Sequence, residues 1–169
     1  MAEALRITAR STLALASVMA RKGVDAAALA ERLGLAPPDG PRTARDEAMT
    51  LIGVGPGAWL AIDERGRAGW AAGLGERLAG IASVTDQSSG YVVFRLSGEG
   101  AGAMLQKGAF IDLDPIAFAC GVAATTLIAH IGVIIWKVDD APTFDVALFR
   151  SFAGSFRHWI AANAPGLSI

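Results

Sequence analysis

An uncharged stretch at residues 118–136 constrains the fold of this chain more than any other feature. It reads FACGVAATTLIAHIGVIIW, and its length approaches the roughly 20 apolar residues that a helix needs to cross a bilayer. His130, Ile131 and Gly132 divide it into two short runs rich in β-branched side chains, and no cluster of Lys or Arg flanks either end. We therefore predict a hairpin of two buried strands, at residues 122–129 and 133–138, and no membrane span.

The composition predicts a chain that associates with other proteins. Hydrophobic residues make up 53% of the sequence and charged residues only 18%, against about 25% charged in an ordinary soluble domain. The formal net charge is −1 and no basic cluster is visible, which argues against a nucleic-acid partner. A low content of charged residues, together with a net charge near zero, favours association between protein chains. We expect a protein partner, or a homo-oligomer when the chain is isolated.

Length and cysteine content indicate a self-sufficient fold in a reducing compartment. The 169 residues suit one domain or two small lobes, and a chain of this size needs neither disulfides nor a metal. Cys120 is the single cysteine, so no internal disulfide can form. The apolar residues near the start of the chain are interrupted, and Arg21 and Lys22 follow them at once, unlike a secretory signal. We expect a cytoplasmic protein.

The first half of the chain predicts the element order β-α-β-β-α-β. Residues 5–19 alternate loosely and indicate one long strand or two short ones, with a helix as the alternative. Asp25 is a good N-cap for a helix that Gly34 ends, and a loop follows at residues 37–46. The other predicted elements are strands at residues 49–54 and 59–62 around a glycine-rich turn, a helix at 70–78 and a strand at 82–84.

The second half predicts a similar mixture of elements. We expect strands at residues 91–96, 122–129, 133–138 and 144–149, and a short helix at 101–107 that Gly108 closes. Ser151 is a candidate N-cap for a final helix that Pro165 and Gly166 end. The apolar face of that helix is a candidate for packing or docking and consists of Phe152, Phe156, Trp159 and Ile160.

These elements predict an α+β fold class. We expect a single domain over residues 1–169, with one lobe at about residues 1–86 and the other at about residues 87–169. Each lobe is expected to be ferredoxin-like, because that fold has the order βαββαβ.

A glycine pattern at residues 98–103, GEGAGA, matches the dinucleotide-binding fingerprint G-x-G-x-x-A. In that motif the glycines let backbone amides approach a pyrophosphate at the N-terminus of a helix. The motif also requires a long helix and an acidic residue about 20 positions further on. Here Gly108 ends the helix within two turns, and Asp112 and Asp114 come too early. We favour a tight turn at residues 98–103, and turn chemistry over a carboxylate pair at Asp112 and Asp114.

The residue types that serve metals and nucleophiles are scattered. His130, His158 and Cys120 match no zinc spacing. His130 lies in the apolar stretch and is expected in the core or at an interface, whereas His158 is expected to face solvent. Because Ser, His and Asp residues show no triad signature, we assign no catalytic, cofactor-binding or metal-binding residue.

The tract from Phe94 to Trp159 resembles the γ-subunit family of heterotetrameric sarcosine oxidase. The order and spacing of several short segments carry the resemblance, which covers roughly the last 75 residues. The first half contributes only its element order and the pattern from Gly55-Pro56 to Trp59. Ala109 departs from the family, whose members often have Cys there. The matching segments are Arg95-Leu96-Ser97-Gly98, Leu105-Gln106-Lys107-Gly108, Ile111-Asp112-Leu113, Thr126-Leu127-Ile128, the strand around Trp136, Thr143-Phe144-Asp145-Val146 and Arg150-Ser151-Phe152-Ala153.

The resemblance implies a fold like the folate-binding domain of aminomethyltransferases and a complex with α, β and δ subunits. That complex oxidatively demethylates sarcosine to glycine and reduces oxygen to hydrogen peroxide. FAD, FMN, NAD, tetrahydrofolate and zinc are expected in the other subunits, and the γ subunit is expected to be a non-catalytic assembly element. Two alternatives remain, the corresponding subunit of N-methylglutamate dehydrogenase and an independent folate-binding module. The folate module would need a buried carboxylate for the pterin, such as Asp86, Asp112 or Asp145.

Overall fold

A computed structural model of the chain describes residues 5–164, which form two compact units. The middle unit is Thr12–Ser89, and the outer unit joins residues 5–11 to residues 90–164. In chain order the elements are β1 (Arg6–Ala9), β2 (Ala14–Ala20), α1 (Ala26–Leu33), β3 (Thr43–Arg45), β4 (Thr50–Gly55), β5 (Ala58–Asp63), α2 (Trp70–Arg77), β6 (Ala82–Asp86), β7 (Tyr91–Ser97), α3 (Ala101–Gln106), β8 (Ala123–Ile128), β9 (Ile131–Lys137), β10 (Phe144–Phe149), a 3-10 turn (Arg150–Phe152) and α4 (Ala153–Asn163).

The middle unit is an antiparallel sheet with helices α1 and α2 and its own apolar cluster. Its strand order is β3-β4-β5-β2-β6. The predicted start and end of α1 are confirmed, because the Asp25 side chain accepts a hydrogen bond from the Ala28 amide at 2.9 Å and Gly34 adopts a left-handed φ of 73°. The cluster contains Leu29, Leu33, Leu51, Trp59, Leu74 and Leu78.

Strand β3 lies in the segment predicted as a loop, so that part of the prediction is wrong. It pairs with β4 through residues 43–45. The loop before it also packs closely, since the Trp59 indole N–H donates to the Pro38 carbonyl oxygen at 3.0 Å. A Cβ on Gly53 would lie 1.9 Å from the Gly40 carbonyl oxygen, so glycine is required where these backbones meet.

The outer unit contains a second antiparallel sheet, with the strand order β1-β7-β10-β9-β8. Strand β1 comes from the start of the chain, and Ile7 pairs with Leu96 in the register of β1 and β7. The predicted first lobe, at about residues 1–86, included β1. Pairing between strands so far apart in the chain leaves no local sequence pattern, so nothing in the sequence indicated that β1 joins β7. The apolar cluster of this unit includes Phe94, Leu105, Ile135, Val146, Phe156 and Ile160.

The uncharged stretch forms the predicted hairpin. Strands β8 and β9 pair from Ala123 opposite Trp136 to Ile128 opposite Ile131. Ala129 and His130 form the connection with φ values of 50° and 65°, the left-handed geometry of a two-residue hairpin turn. Among residues 5–164, no helix is long and apolar enough to cross a membrane.

The two sheets share one strand order once β1 is matched with β6. The middle unit, written as β6-β2-β5-β4-β3, then corresponds strand by strand to β1-β7-β10-β9-β8. Helices also occupy equivalent positions, since α1 and α3 follow the second strand of each series and α2 and α4 follow the third. The α+β class with two antiparallel sheets is confirmed. The outer unit takes its last strand from the start of the chain rather than from a segment after α4.

The predicted cap of the last helix is wrong. Ser151 lies within the 3-10 turn, and no side chain caps α4; the Ala153 amide instead donates to the Arg150 carbonyl oxygen. A backbone bond of this kind replaces a side-chain cap where a tight turn leads directly into a helix. The predicted stop at Pro165 and Gly166 lies outside the described residues.

Candidate functional site

The apolar face of α4 divides into a packing part and an exposed part. Phe156 and Ile160 are fully buried, and the Phe156 ring contacts Phe94 with centroids 5.4 Å apart and Trp159 with centroids 5.8 Å apart. Phe152 instead remains 45% exposed. The docking prediction therefore applies to the start of this segment and not to the whole face.

Three aromatic residues lie where β10 leads into α4, namely half-buried Tyr91 and exposed Phe149 and Phe152, which we call the aromatic patch. The Tyr91 and Phe149 rings are tilted by 32° with centroids 4.8 Å apart, while Phe149 is 51% exposed. Partial burial raises the pKa of the Tyr91 phenol, so it stays neutral. Arg150 fixes the backbone of the patch, because its guanidinium donates to the Tyr91 carbonyl oxygen at 2.9 Å and its amide donates to that of Gly90. This patch has the composition of a protein–protein contact.

The residues that carry the family resemblance are mostly packing residues. The Gln106 amide donates to the Ile111 carbonyl oxygen and accepts from the Leu113 amide, both at 2.9 Å, which ties the following loop to α3. The Trp159 indole lies directly on Gly108, where a Cβ would approach its Cζ2 atom to 2.6 Å. These contacts give Gln106 and Gly108, two residues of the matching segments, a structural role in the outer unit.

A buried charge cluster joins three adjacent strands of the outer sheet. Asp145 on β10 is 1% exposed, and both of its oxygens accept bonds at 2.7 Å from Arg95 on β7. Arg10, just beyond β1, donates to the same carboxylate at 3.0 Å. Asp145 therefore forms a structural ion pair with the two arginines, because both of its oxygens accept charge-assisted hydrogen bonds and its charge is neutralised. Sequence spacing gave no signal for a pair 135 residues apart.

The middle unit contains a second ion pair, Asp63 with Arg67. Burial by itself raises the pKa of the Asp63 carboxyl, but hydrogen bonds from the Arg67 side chain and from the backbone amides of Arg67 and Arg65 outweigh it, so the pKa is lowered. The Arg67 guanidinium donates to Asp63 at 3.0 and 3.1 Å. This pair was not identified from the sequence, although the spacing of four residues between opposite charges was the available signal. The pair closes the turn after β5.

The glycine pattern at residues 98–103 forms a tight turn, with Gly98 at φ 100° and the Ala101 amide bonded to the Gly98 carbonyl oxygen. The turn borders a cleft of about 440 Å³. The α3 helix has only six residues, and strand β8, which follows it, does not pair with β7, so the requirements of a dinucleotide site are not met. Most of the cleft-lining residues are acidic or apolar: Glu99, Gly102, Ala103, Gln106, Asp112, Leu113, Asp114, Pro115, Lys137, Asp140, Pro142 and Phe144.

The electrostatics of this cleft disfavour a phosphate. Four carboxylates line it, and the Lys137 ammonium is already hydrogen-bonded to the carbonyl oxygens of Asp139 and Ala141. That ammonium also lies 5.3 Å from the centroid of the Phe144 ring. The lysine therefore stabilises its own loop, and an anionic ligand would meet net negative charge.

The other carboxylates considered for pterin or paired chemistry cap local turns. Asp86 accepts from the Ser88 amide at 2.9 Å, and hydrogen bonding from Ser88 lowers the pKa of the Asp86 carboxyl. Asp112 accepts from the Asp114 amide, and Asp114 from the Ile116 amide, each at 2.9 Å. The turn prediction for Asp112 and Asp114 is confirmed, since each carboxylate bonds the amide two residues later.

The histidines and the cysteine lie apart from one another. His158 is exposed, as predicted, and Cys120 is an exposed free thiol. The expectation of a core position for His130 is wrong, because it sits exposed in the β8–β9 turn, with its ring 5.9 Å from that of Phe110. Among residues 5–164, no three His, Cys, Asp or Glu side chains are arranged so that they could hold one metal ion.

Comparisons with known proteins match most of the chain. The model of the "Sarcosine oxidase, gamma subunit family" matches residues 22–165. The sarcosine oxidase subunit gamma of Corynebacterium sp. (strain P-1) is 32% identical over 139 residues, which cover 79% of this chain and 66% of that protein. The subunit gamma of Arthrobacter sp is 35% identical over 117 residues, which cover 68% of this chain and 57% of that protein. The chain thus spans less than two thirds of the length of these curated relatives.

A solved structure shows the same fold. A chain of the heterotetrameric sarcosine oxidase from Corynebacterium sp. U-96 superposes with a TM-score of 0.84 at 24% identity. The match covers 94% of this chain and 83% of that chain. It extends over both units, including the first half, where the sequence resemblance rested on little more than element order.

Proposed function

This chain belongs to the sarcosine oxidase γ-subunit family, and from that premise we propose that it is the non-catalytic assembly subunit of a heterotetrameric sarcosine oxidase. The complex would oxidatively demethylate sarcosine to glycine, and this chain would contact its α, β or δ subunits. The family match across residues 22–165 carries the proposal.

The aromatic patch supports an assembly role. Phe149 and Phe152 expose 51% and 45% of their surface, on a backbone that Arg150 holds in place. Exposed aromatic side chains on a rigid frame are typical anchors of protein–protein contacts, because they bury much apolar area at little cost in side-chain entropy. We propose that this patch contacts a partner subunit.

We propose that FAD, FMN, NAD, tetrahydrofolate and zinc are bound by the partner subunits. The state of the carboxylates in this chain supports that division, since Asp145 is neutralised by two arginines and Asp86 and Asp112 cap turns. The independent folate module is the weaker proposal for the same reason: each carboxylate suggested for the pterin is already hydrogen-bonded.

We also propose that both units are ferredoxin-like and together resemble the folate-binding domain of aminomethyltransferases. The shared strand order of the two sheets, β6-β2-β5-β4 and β1-β7-β10-β9, supports this. A cytoplasmic location is proposed with them, supported by the single cysteine in the sequence.

Co-expression tests the assembly role. The chain, produced with the α, β and δ subunits, should co-purify in a fixed stoichiometry, and omitting it should reduce the yield of active oxidase. Phe152→Glu should weaken assembly about tenfold or more, because a charge would be buried at an anchor. His158→Glu, which places the same charge at an exposed polar side chain of α4, is the matched control and should assemble normally. A fully active oxidase lacking this chain would refute the proposal.

A further inference from the structure

The cleft beside the turn at residues 98–103 combines an apolar lining with negative charge. It has a volume of about 440 Å³, and all of its lining residues belong to the outer unit. Three separate segments contribute its carboxylates: the turn before α3, the loop after α3 and the connection between β9 and β10. The four carboxylates are those of Glu99, Asp112, Asp114 and Asp140. The fold therefore brings together charges that are not neighbours in one run of sequence.

These charges are not compensated within the part of the chain that the structure describes. None of the four carboxylates forms a salt bridge there. Lys137, the one basic residue of the lining, donates instead to two backbone carbonyl oxygens. Four carboxylates and one ammonium leave three negative charges in excess. The cleft therefore attracts a cationic group.

Apolar surface accompanies the charge. Ile116, next to Pro115 of the lining, is 94% exposed, more than any other large hydrophobic residue within residues 5–164. A small hydrated cation in the cleft would leave this side chain in water, whereas a protein segment would cover it. The apolar side chains of the lining itself are those of Ala103, Leu113, Pro115, Pro142 and Phe144.

We propose that this cleft receives an arginine side chain from a partner subunit, whose neighbouring residues cover Ile116. This inference rests on the proposed function and assigns to it a second contact surface, besides the aromatic patch. A guanidinium has five donors in a planar fork, so it can bond to carboxylates from more than one segment at once. Its methylene stem can lie on the apolar lining. Charge complementarity between the cleft and the arginine favours this occupant.

A second copy of this chain fits the cleft poorly. In a symmetric dimer each copy would present the same surface, and two clefts with excess negative charge would repel each other. A contact between the cleft and a basic surface elsewhere on a second copy would be heterologous, and would build a ring or an open chain of copies. Nucleic acids and anionic membranes are repelled by the same charge.

Assembly of altered chains with the α, β and δ subunits tests the inference, with recovery of the complex by co-purification measured at low and high ionic strength. Glu99→Gln/Asp140→Asn removes two charges at exposed side chains and keeps their size. It should weaken assembly by about tenfold or more and make it less sensitive to salt. Ala103→Phe keeps every charge but fills the cleft, and should weaken assembly by about as much. Glu31→Gln/Glu76→Gln, at two exposed carboxylates of the middle unit, is the matched control and should assemble normally.

The outcomes separate the two proposals. If the complex forms and both cleft variants assemble as well as the native chain, the cleft inference is wrong and the assembly role stands. If the free chain self-associates and Glu99→Gln/Asp140→Asn abolishes this, the occupant is a second copy and the inference is overturned. Calorimetry of the free chain with spermidine examines a small cation, and micromolar binding that the double variant loses would also overturn it. If the unaltered chain fails to assemble at all, both proposals are refuted. Thermal unfolding of each variant shows whether its fold is intact.

Discussion

Replacing Gly108 with alanine should destabilise the outer unit, mainly because the new Cβ would collide with the Trp159 indole. The new Cβ would lie 2.6 Å from Cζ2 of Trp159, 3.1 Å from Cε2 of the same ring and 3.0 Å from the Ala129 amide nitrogen. Carbon atoms normally approach to about 3.5–4.0 Å, so the indole must move by roughly 1 Å. The indole is held by Phe156 and the Ala129 amide by its bond to the Gly108 carbonyl oxygen, so neither yields freely.

The expected loss is about 2 kcal/mol of unfolding free energy, within the range for overpacking a filled core. That loss lowers Tm by about 4–8 °C for a chain of this size. Backbone strain is not the cause, because Gly108 does not have a positive φ. Urea unfolding followed by circular dichroism, together with a thermal scan, measures both quantities.

Gly154→Ala is the matched control, since Gly154 lies on the same helix as Trp159 and a Cβ there meets nothing within 4 Å. It should raise stability by up to about 1 kcal/mol, because alanine is the better helix former. In a Trp159→Leu background Gly108→Ala should cost about 1–2 kcal/mol less, as a double-mutant cycle would show. Equal losses in both backgrounds would refute the role of the indole.

Two further predictions concern buried charges. Asp145→Asn should lower the unfolding free energy by about 3 kcal/mol, because it leaves two arginines without their carboxylate. Urea unfolding measures this loss, and Asp39→Asn, at an exposed carboxylate, is the control that should change the unfolding free energy little. A loss no larger than that of Asp39→Asn would contradict the prediction. The Asp63 pair should make stability acid-sensitive, because the pKa of Asp63 is lowered on folding. Its stabilisation is present above the unfolded pKa of about 3.9 and is lost as pH falls through the folded pKa. The stability gap between the native chain and Asp63→Asn should therefore narrow in urea titrations as pH falls below about 4. A constant gap would show that Asp63 does not titrate differently in the two states.

The elements that the sequence predicted well are those specified by local signals. The Asp25 cap and Gly34 stop define α1 within ten residues, and the break at residues 130–132 separates two strand-like runs. Strand β3 was missed in the sequence because three residues are too few to show the alternating hydrophobic pattern of a strand, and their neighbours are prolines, glycines and charged residues. It becomes a strand only by pairing with β4.

The features that the sequence did not predict depend on contacts between distant residues. Arg10 and Asp145 meet only because β1, β7 and β10 lie side by side. The contact of Trp159 with Gly108 likewise joins the last helix to the second residue after α3. The family resemblance detected the second contact indirectly, as residue types at a fixed spacing, but only the structure gives its physical reason.

The position of β1 also sets an order of events during synthesis. The middle unit is one continuous segment that ends at Ser89, so all of it has been translated before β7 begins. Strand β1 is translated before the middle unit, whereas its partner β7 is translated only after it, and Asp145, the ion-pair partner of Arg10, is translated later still. Domains tend to fold as units while the nascent chain emerges, N-terminal segments first. Strand β1 therefore cannot pair with β7 until the whole middle unit has been synthesised.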